Sequence, residues 1–223
     1  MSNNSPGQFE IKDCALAAIG TGKRAANLRE VRDILQVIHP GCIYYHFWGM
    51  LLRPRFENPE YLNDFAEWAR HGLHDQRLAE RLSVIDPTEY SDLEALRQEL
   101  LDVIEERLDE TEMVPWAKRD EQFHFIRSQI VVFSTHRTLN DPRELAEAVP
   151  NMTVSSIFYH FIDARRRTEN SMDDFREWLG TCGDDYSPLI SRIGLVDPYF
   201  ATLYDLRSQL ADVIQSFFSE TAS

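Results

Sequence analysis

The phrase "IYYHFWGMLLR" (Ile43–Arg53) returns as "IFYHFIDARRR" (Ile157–Arg167), each with an aromatic-flanked His and an Arg seven residues on. A chain that repeats its pattern in order is constrained to build one supersecondary unit twice. At an offset of 114, Phe9–Phe47 overlies Phe123–Phe161 without a gap, and eight of those 39 pairs are identical. They are Phe9/Phe123, Thr21/Thr135, Arg29/Arg143, Glu30/Glu144, Ile43/Ile157, Tyr45/Tyr159, His46/His160 and Phe47/Phe161. "NDFAEW" (Asn63–Trp68) then meets "DDFREW" (Asp173–Trp178), and "IDP" at Ile85–Pro87 meets "VDP" at Val196–Pro198. Finally "LEALRQELLDVI" (Leu93–Ile104) meets "LYDLRSQLADVI" (Leu203–Ile214), with seven of twelve positions identical. Conserved order with small changes of offset reads as a tandem duplication with loop insertions.

The expected architecture is therefore two similar helical lobes: mainly α, with α+β and one short strand per lobe as the alternative. Lobe one spans 1–112, a linker 113–120, and lobe two 121–223. The linker is placed in "DETEMVPWAKRD", which turns from acidic to basic around the breaker Pro115. The opening of lobe two, with Ile130, Val131, Val132 and Phe133, is β-branched and aromatic and reads as a strand. Its counterpart "FEIKDCALAAIGT" is Ala-rich and also fits a helix. Asp141 and Pro142 suit an N-cap and a first helical position, and Thr153 or Ser155 suits the entry to the Tyr-His-Phe helix. Leu93, Leu96, Leu100, Val103 and Ile104 recur at helical spacing, as do Leu203, Leu206, Leu210, Val213, Ile214 and Phe217.

Composition narrows the function classes. With 223 residues and 43% apolar content the chain can fill a core, and a net charge of -14 repels phosphate backbones and anionic lipid. Nucleic acid and membrane are thus not expected partners; a protein partner or a small molecule is, and a homo-oligomer stays open. No apolar run approaches membrane-spanning length, and "MSNNSPGQFE" lacks the features of a secretory leader. Cys14, Cys42 and Cys182 are odd in number and have no paired spacing, so a reducing cytoplasm is expected.

The strongest candidate site is the doubled phrase. On a helix His46 and Arg53 share a face, as do His160 and Arg167, with Tyr45 and Tyr159 beside them. Imidazoles bind metals and move protons, but a His among aromatics also serves as a satisfied core residue, the reading preferred here. Arg165, Arg166 and Arg167 form a basic run suited to an anion, or to pairing with nearby acids at a helix end. Asp64 with Glu67, and Asp174 with Glu177, stand beside Phe and Trp as sugar-active carboxylates would, or else cap a short helix. His71, His74 and Asp75 lack further ligands at metal spacing. "GTGKRA" (Gly20–Ala25) has Ala17 and Arg24 where a phosphate loop needs Gly and Ser or Thr, and reads as a turn.

The phrases "YHF", "DF..W" and "LR..L.DVI" in this order resemble a bacterial family of uncharacterised proteins, a domain of unknown function. The resemblance implies a shared fold and transfers no catalytic residue and no cofactor. Without a catalytic motif, the expected function is a non-catalytic interaction or regulatory protein in the cytoplasm. The rivals are a small-molecule or metal-binding enzyme with a site between the lobes, and an anion-sensing module at Arg165–Arg167.

Overall fold

The computed structural model describes residues 7–52, 60–168, 170–199 and 202–221. Strand β1 (Phe9–Ala25) leads to α1 (Leu28–Leu35), α2 (Pro40–Trp48), α3 (Asp64–His71), α4 (Gln76–Ser83) and the long α5 (Leu93–Asp109). Strand β2 (Phe123–Leu139) is followed by α6 (Leu145–Ala148), α7 (Val154–Ile157), a π-helical turn (Phe158–Asp163) and α8 (Ala164–Arg167). The chain closes with α9 (Asp174–Cys182), α10 (Ser187–Gly194) and α11 (Leu203–Thr221). β1 and β2 pair as a two-stranded antiparallel sheet, so the fold is α+β rather than mainly α. Each strand runs 17 residues, not the short strand expected.

The Ala-rich opening is a strand because its partner decides it. Phe9 and Ile11 are buried while Glu10 is exposed, the period-two alternation of a strand with one covered face. Helix propensity of the following alanines is a weak local preference, and pairing with β2 overrides it. "GTGKRA" lies inside β1, not in a turn between elements. Gly22 adopts φ +73° there, and His136 of β2 adopts φ +57°. Beside each, a threonine hydroxyl bridges the irregular backbone. Thr21 Oγ1 donates to the Phe125 carbonyl and accepts from Lys23 N–H; Thr135 Oγ1 donates to the Ile11 carbonyl and accepts from Arg137 N–H.

The described chain packs as two units, and their divisions fall within the strands rather than in the 113–120 linker. The early unit is Leu16–Ile130; the late unit joins Met1–Ala15 to Val131–Ser223. A repeat boundary follows the order of phrases, whereas a packing unit follows contacts, and a strand leaving one helical set can close another. Between α5 and β2 the chain returns to the end of β1: Asn27 and Trp116 form an antiparallel bridge and Ala117 N–H donates to the Ala26 carbonyl at 2.7 Å.

In the early unit, α5 packs against α1, α2 and α4. Leu28, Val31 and Leu35 of α1 and Leu96, Leu100 and Ile104 of α5 are buried. Asn27 caps α1 by accepting from Glu30 N–H, and Glu30 reaches back to Ala26 N–H, so two orphan donors are satisfied. The buried Arg97 donates to the carbonyls of Leu35, the last residue of α1, and of Ile38 just beyond it, tying two helices by polar as well as apolar contact.

The late unit uses the same devices on its own residues. α11 packs on α6, α7 and α10, with Leu206, Leu210, Ile214 and Phe217 buried. Asp141 and Glu144 form a capping box, with Pro142 at the first helical position as expected. Thr153 Oγ1 accepts from Ser156 N–H, starting the Tyr-His-Phe helix. Arg207 donates to the Met152 carbonyl at 2.9 Å.

Candidate functional site

His46 sits on α2, which begins at Pro40 and buries every residue from Cys42 to Trp48. Its Nε2 accepts the Ile126 backbone N–H of β2 at 3.1 Å, and its Nδ1 lies 2.8 Å from Asp64 Oδ2. A backbone N–H can only donate, so Nε2 is the acceptor and Nδ1 carries the hydrogen given to the carboxylate. Phe123, Phe65, Tyr45 and Phe125 surround the ring at centroid distances of 4.7 to 6.1 Å. Phe65 stacks on Phe123, and Trp68 Nε1 donates to the Glu121 carbonyl at 2.8 Å. Thus α3 delivers a carboxylate, a phenyl and an indole to one strand end, on residues one, two and five of the helix.

His160 occupies the π-helical turn of the late unit. Its Nε2 accepts the Lys12 backbone N–H of β1 at 2.9 Å, and its Nδ1 lies 2.7 Å from Asp174 Oδ2. Phe9 packs on His160, Phe175 and Trp178, and Trp178 Nε1 donates to the Gly7 carbonyl. Both histidines are only 2% exposed. Cys14 Sγ donates to the Ser155 carbonyl in this unit, while Ser128 Oγ donates to the Gly41 carbonyl in the other. Cys14 and Ser128 are partners in the repeat alignment, so a thiol and a hydroxyl do the same fastening. Burial, with Asp13 beside it, pushes the Cys14 thiol up to about 12, so it stays protonated.

In the late unit His160 and Arg167, seven residues apart, meet at one acid. Arg167 Nη2 lies 3.0 Å from Asp174 Oδ2, the oxygen that His160 Nδ1 also contacts. Arg167 further donates to Asp163 Oδ2 and to the Tyr159 carbonyl, with its guanidinium 4.0 Å above the Tyr159 ring. Asp163 is buried and also accepts from Arg166 Nη2 at 2.8 Å. Arg165 Nε donates to the Phe161 carbonyl at 3.2 Å and its guanidinium lies over the Phe161 ring. The basic run is thereby engaged by its own helix and by Asp163. Arg53 lies outside the described residues. Tyr45 and Tyr159 are buried edge-on against their neighbouring histidines.

The acid pairs divide. Asp64 and Asp174 turn to the histidines, while Glu67 and Glu177 are exposed, so neither of these two pairs faces a common point. The capping role belongs one residue earlier, to Asn63 and Asp173, which accept from Ala66 N–H and Arg176 N–H. Burial raises the Asp173 carboxyl, opposed by hydrogen bonds and charge from Arg176. Sequence reasoning missed the histidine role of Asp64 and Asp174. The available signal was that both aspartates recur wherever the His recurs. "HGLHD" is a joint between helices: Gly72 ends α3, and Asp75 caps α4 while accepting from Arg107 Nε at 2.9 Å. Among the described residues no cluster of His, Cys, Asp or Glu is arranged to hold a metal, and no helix is long and apolar enough to cross a membrane.

Comparison with solved structures finds OrfY from Thermoproteus tenax, with a TM-score of 0.82 and 27% identity over 96% of this chain and 97% of that one. No curated protein matches this chain. The family model that matches covers residues 6–215, and the chain belongs to that family, DUF5752, a family of unknown function.

Proposed function

We propose that this chain is a non-catalytic interaction or regulatory protein built by internal duplication, acting in the cytoplasm through a protein partner or a small-molecule ligand. One observation carries the reading: both ring nitrogens of His46 and of His160 are occupied by a strand N–H and a carboxylate. A buried imidazole in that state has neither a lone pair for a metal nor a hydrogen to give a substrate. The two His–Asp pairs are clasps that hold strand ends to helical sets. Matching use of His, Asp, Phe, Trp and capping residues in the two units supports descent from one duplicated unit. Three cysteines, odd in number and without paired spacing, support a reducing compartment.

The test is a thermal-shift screen of wild type and a His46→Ala/His160→Ala variant with divalent metals, phosphorylated sugars, nucleotides and simple anions. The expected result is a lower-melting variant and no ligand whose stabilisation depends on the histidines. A ligand that raises the wild-type midpoint by several degrees and leaves the variant unmoved would place a binding site at the clasps and overturn the reading.

A further inference from the structure

Within the early unit, the sheet consists of Leu16–Ala25 of β1 and Phe123–Ile130 of β2. The outer side of β2 is engaged by α2, since Ile126 N–H goes to His46 and Ser128 Oγ to the Gly41 carbonyl. β1 has a strand neighbour on one side only. Its residues Ala17–Gly20 and Gly22–Arg24 are exposed, and Ile19 presents an apolar side chain at 42% exposure. A long strand with an open edge and small or apolar side chains is a template for another strand, and such edges are normally blunted by a covering element or by inward charges.

The charges of this two-stranded segment have one sign. The two stretches contain Lys23, Arg24, Arg127 and His124 and no Asp or Glu, on a chain whose net charge is -14. Elsewhere cations are commonly paired: Arg77 and Arg81 with Glu110, Arg107 with Asp75, and Arg192 with Glu220. Lys23, Arg24 and Arg127 make no ion pair among the described residues. A basic edge on an acidic protein suits an acidic partner and resists pairing with a copy of itself, which would set like charges side by side. The overall charge also disfavours a polyphosphate chain.

We propose that the outer edge of β1 at Ala17–Arg24 docks an extended acidic segment of a protein partner, which adds as a third strand to the sheet of the early unit. This rests on the interaction-protein reading above and names its surface and partner chemistry. Backbone hydrogen bonds would form along Ala17–Gly20, ahead of the irregular backbone at Gly22. Lys23 and Arg24, on β1 itself, would meet the acidic side chains, and Arg127 of β2 would add to the attracting field.

The experiment measures fluorescence anisotropy of a labelled peptide of alternating Glu and Val with the full chain. Two comparisons accompany it: a Glu/Pro peptide of equal charge, and a Lys23→Glu/Arg24→Glu/Arg127→Glu variant whose circular dichroism and midpoint match wild type. The expected result is saturable binding of the Glu/Val peptide that weakens several-fold between about 50 and about 300 mM salt. The Glu/Pro peptide repeats Glu-Pro-Pro, so prolines fall on both edges of the extended chain and neither edge keeps an unbroken row of N–H donors; it and the charge-reversed variant should each lose at least ~10-fold in affinity. Absent binding to wild type, equal binding of the Glu/Pro peptide, or undiminished binding by the variant would each overturn the proposal. So would self-association of wild type that the charge reversal abolishes, or tighter binding of a single-stranded oligonucleotide than of the peptide. Failure here with no His-dependent ligand in the thermal screen would remove the docking edge alone; a His-dependent ligand would remove the underlying reading.

Discussion

The His160 ring accepts the backbone N–H of Lys12 at 2.9 Å, joining residues 148 positions apart in the sequence. The same nitrogen of His46 serves Ile126, 80 positions away. Each strand end is thus held by a side chain distant in sequence, and removing that side chain has a definite cost.

His160→Ala leaves the Lys12 N–H without its acceptor, deletes the ring packed on Phe9 and strips Asp174 of one partner. An orphaned buried donor together with a cavity should lower stability by ~2–4 kcal/mol. Urea unfolding monitored by tryptophan fluorescence checks this, and His46→Ala should behave alike. A loss below ~0.5 kcal/mol would contradict the clasp.

Arg167 neutralises two carboxylates, the buried Asp163 and the His160 partner Asp174. Arg167→Met keeps the apolar stem and removes the charge, leaving Asp163 paired with Arg166. The expected loss is ~1–3 kcal/mol, and Arg167→Lys should recover only part of it because one ammonium cannot span both acids and the Tyr159 carbonyl. Chemical denaturation of the three proteins side by side gives the order.

His136 holds φ +57° on an exposed stretch of β2, where a side chain is disfavoured. His136→Gly relieves that conformation and should raise stability or leave it level, within about 1 kcal/mol, since glycine also loses more chain entropy. At the corresponding position in β1, a Cβ on Gly22 meets nothing within 4 Å, so Gly22→Ala isolates the backbone penalty and should cost ~1 kcal/mol. Melting temperatures of the pair should therefore move in opposite directions or differ clearly.

The Asp173 carboxyl is raised in the folded state by burial. A raised folded value means that the native chain holds this proton more tightly than the unfolded chain. Its contribution is fully present below the ordinary aspartate range and is lost as pH rises through the folded value. Wild type should therefore gain stability relative to Asp173→Asn as pH is lowered from neutrality toward the acid range. Asn63 already fills the equivalent capping place, so the Asn variant should keep its helix start. Parallel urea titrations at several pH values test the sign.

Cys14 is buried with its thiol pushed up to about 12, whereas Cys182 is only part-buried. Alkylation of the native protein near pH 8 should modify Cys182 first and Cys14 only as fast as the unit opens, because the thiolate is the reacting form. Mass spectrometry after timed quenching resolves the two, and rapid labelling of Cys14 would contradict its burial.

Much of this was legible in the order of phrases. The capping residues Asp141 and Thr153, the periodic α5 and α11, the Phe–Trp helices and the burial of both histidines follow from local chemistry and spacing. Spacing also brought Arg167 to His160, although the shared Asp174 that joins them sits beyond a loop. The Ala-rich segment illustrates the limit: its helix propensity was real, and pairing with β2 overrode it.

The sequence by itself determined the repeated phrases, the helices and caps they form, and the residue types available to fasten them, because these depend on contacts within a few turns of chain. Only the tertiary structure decided that both openings are long strands, which helical set each strand end closes upon, and that Asp64 and Asp174 serve the histidines. Those outcomes depend on hydrogen-bond partners far apart in sequence, and a backbone N–H carries no mark of the side chain that will receive it.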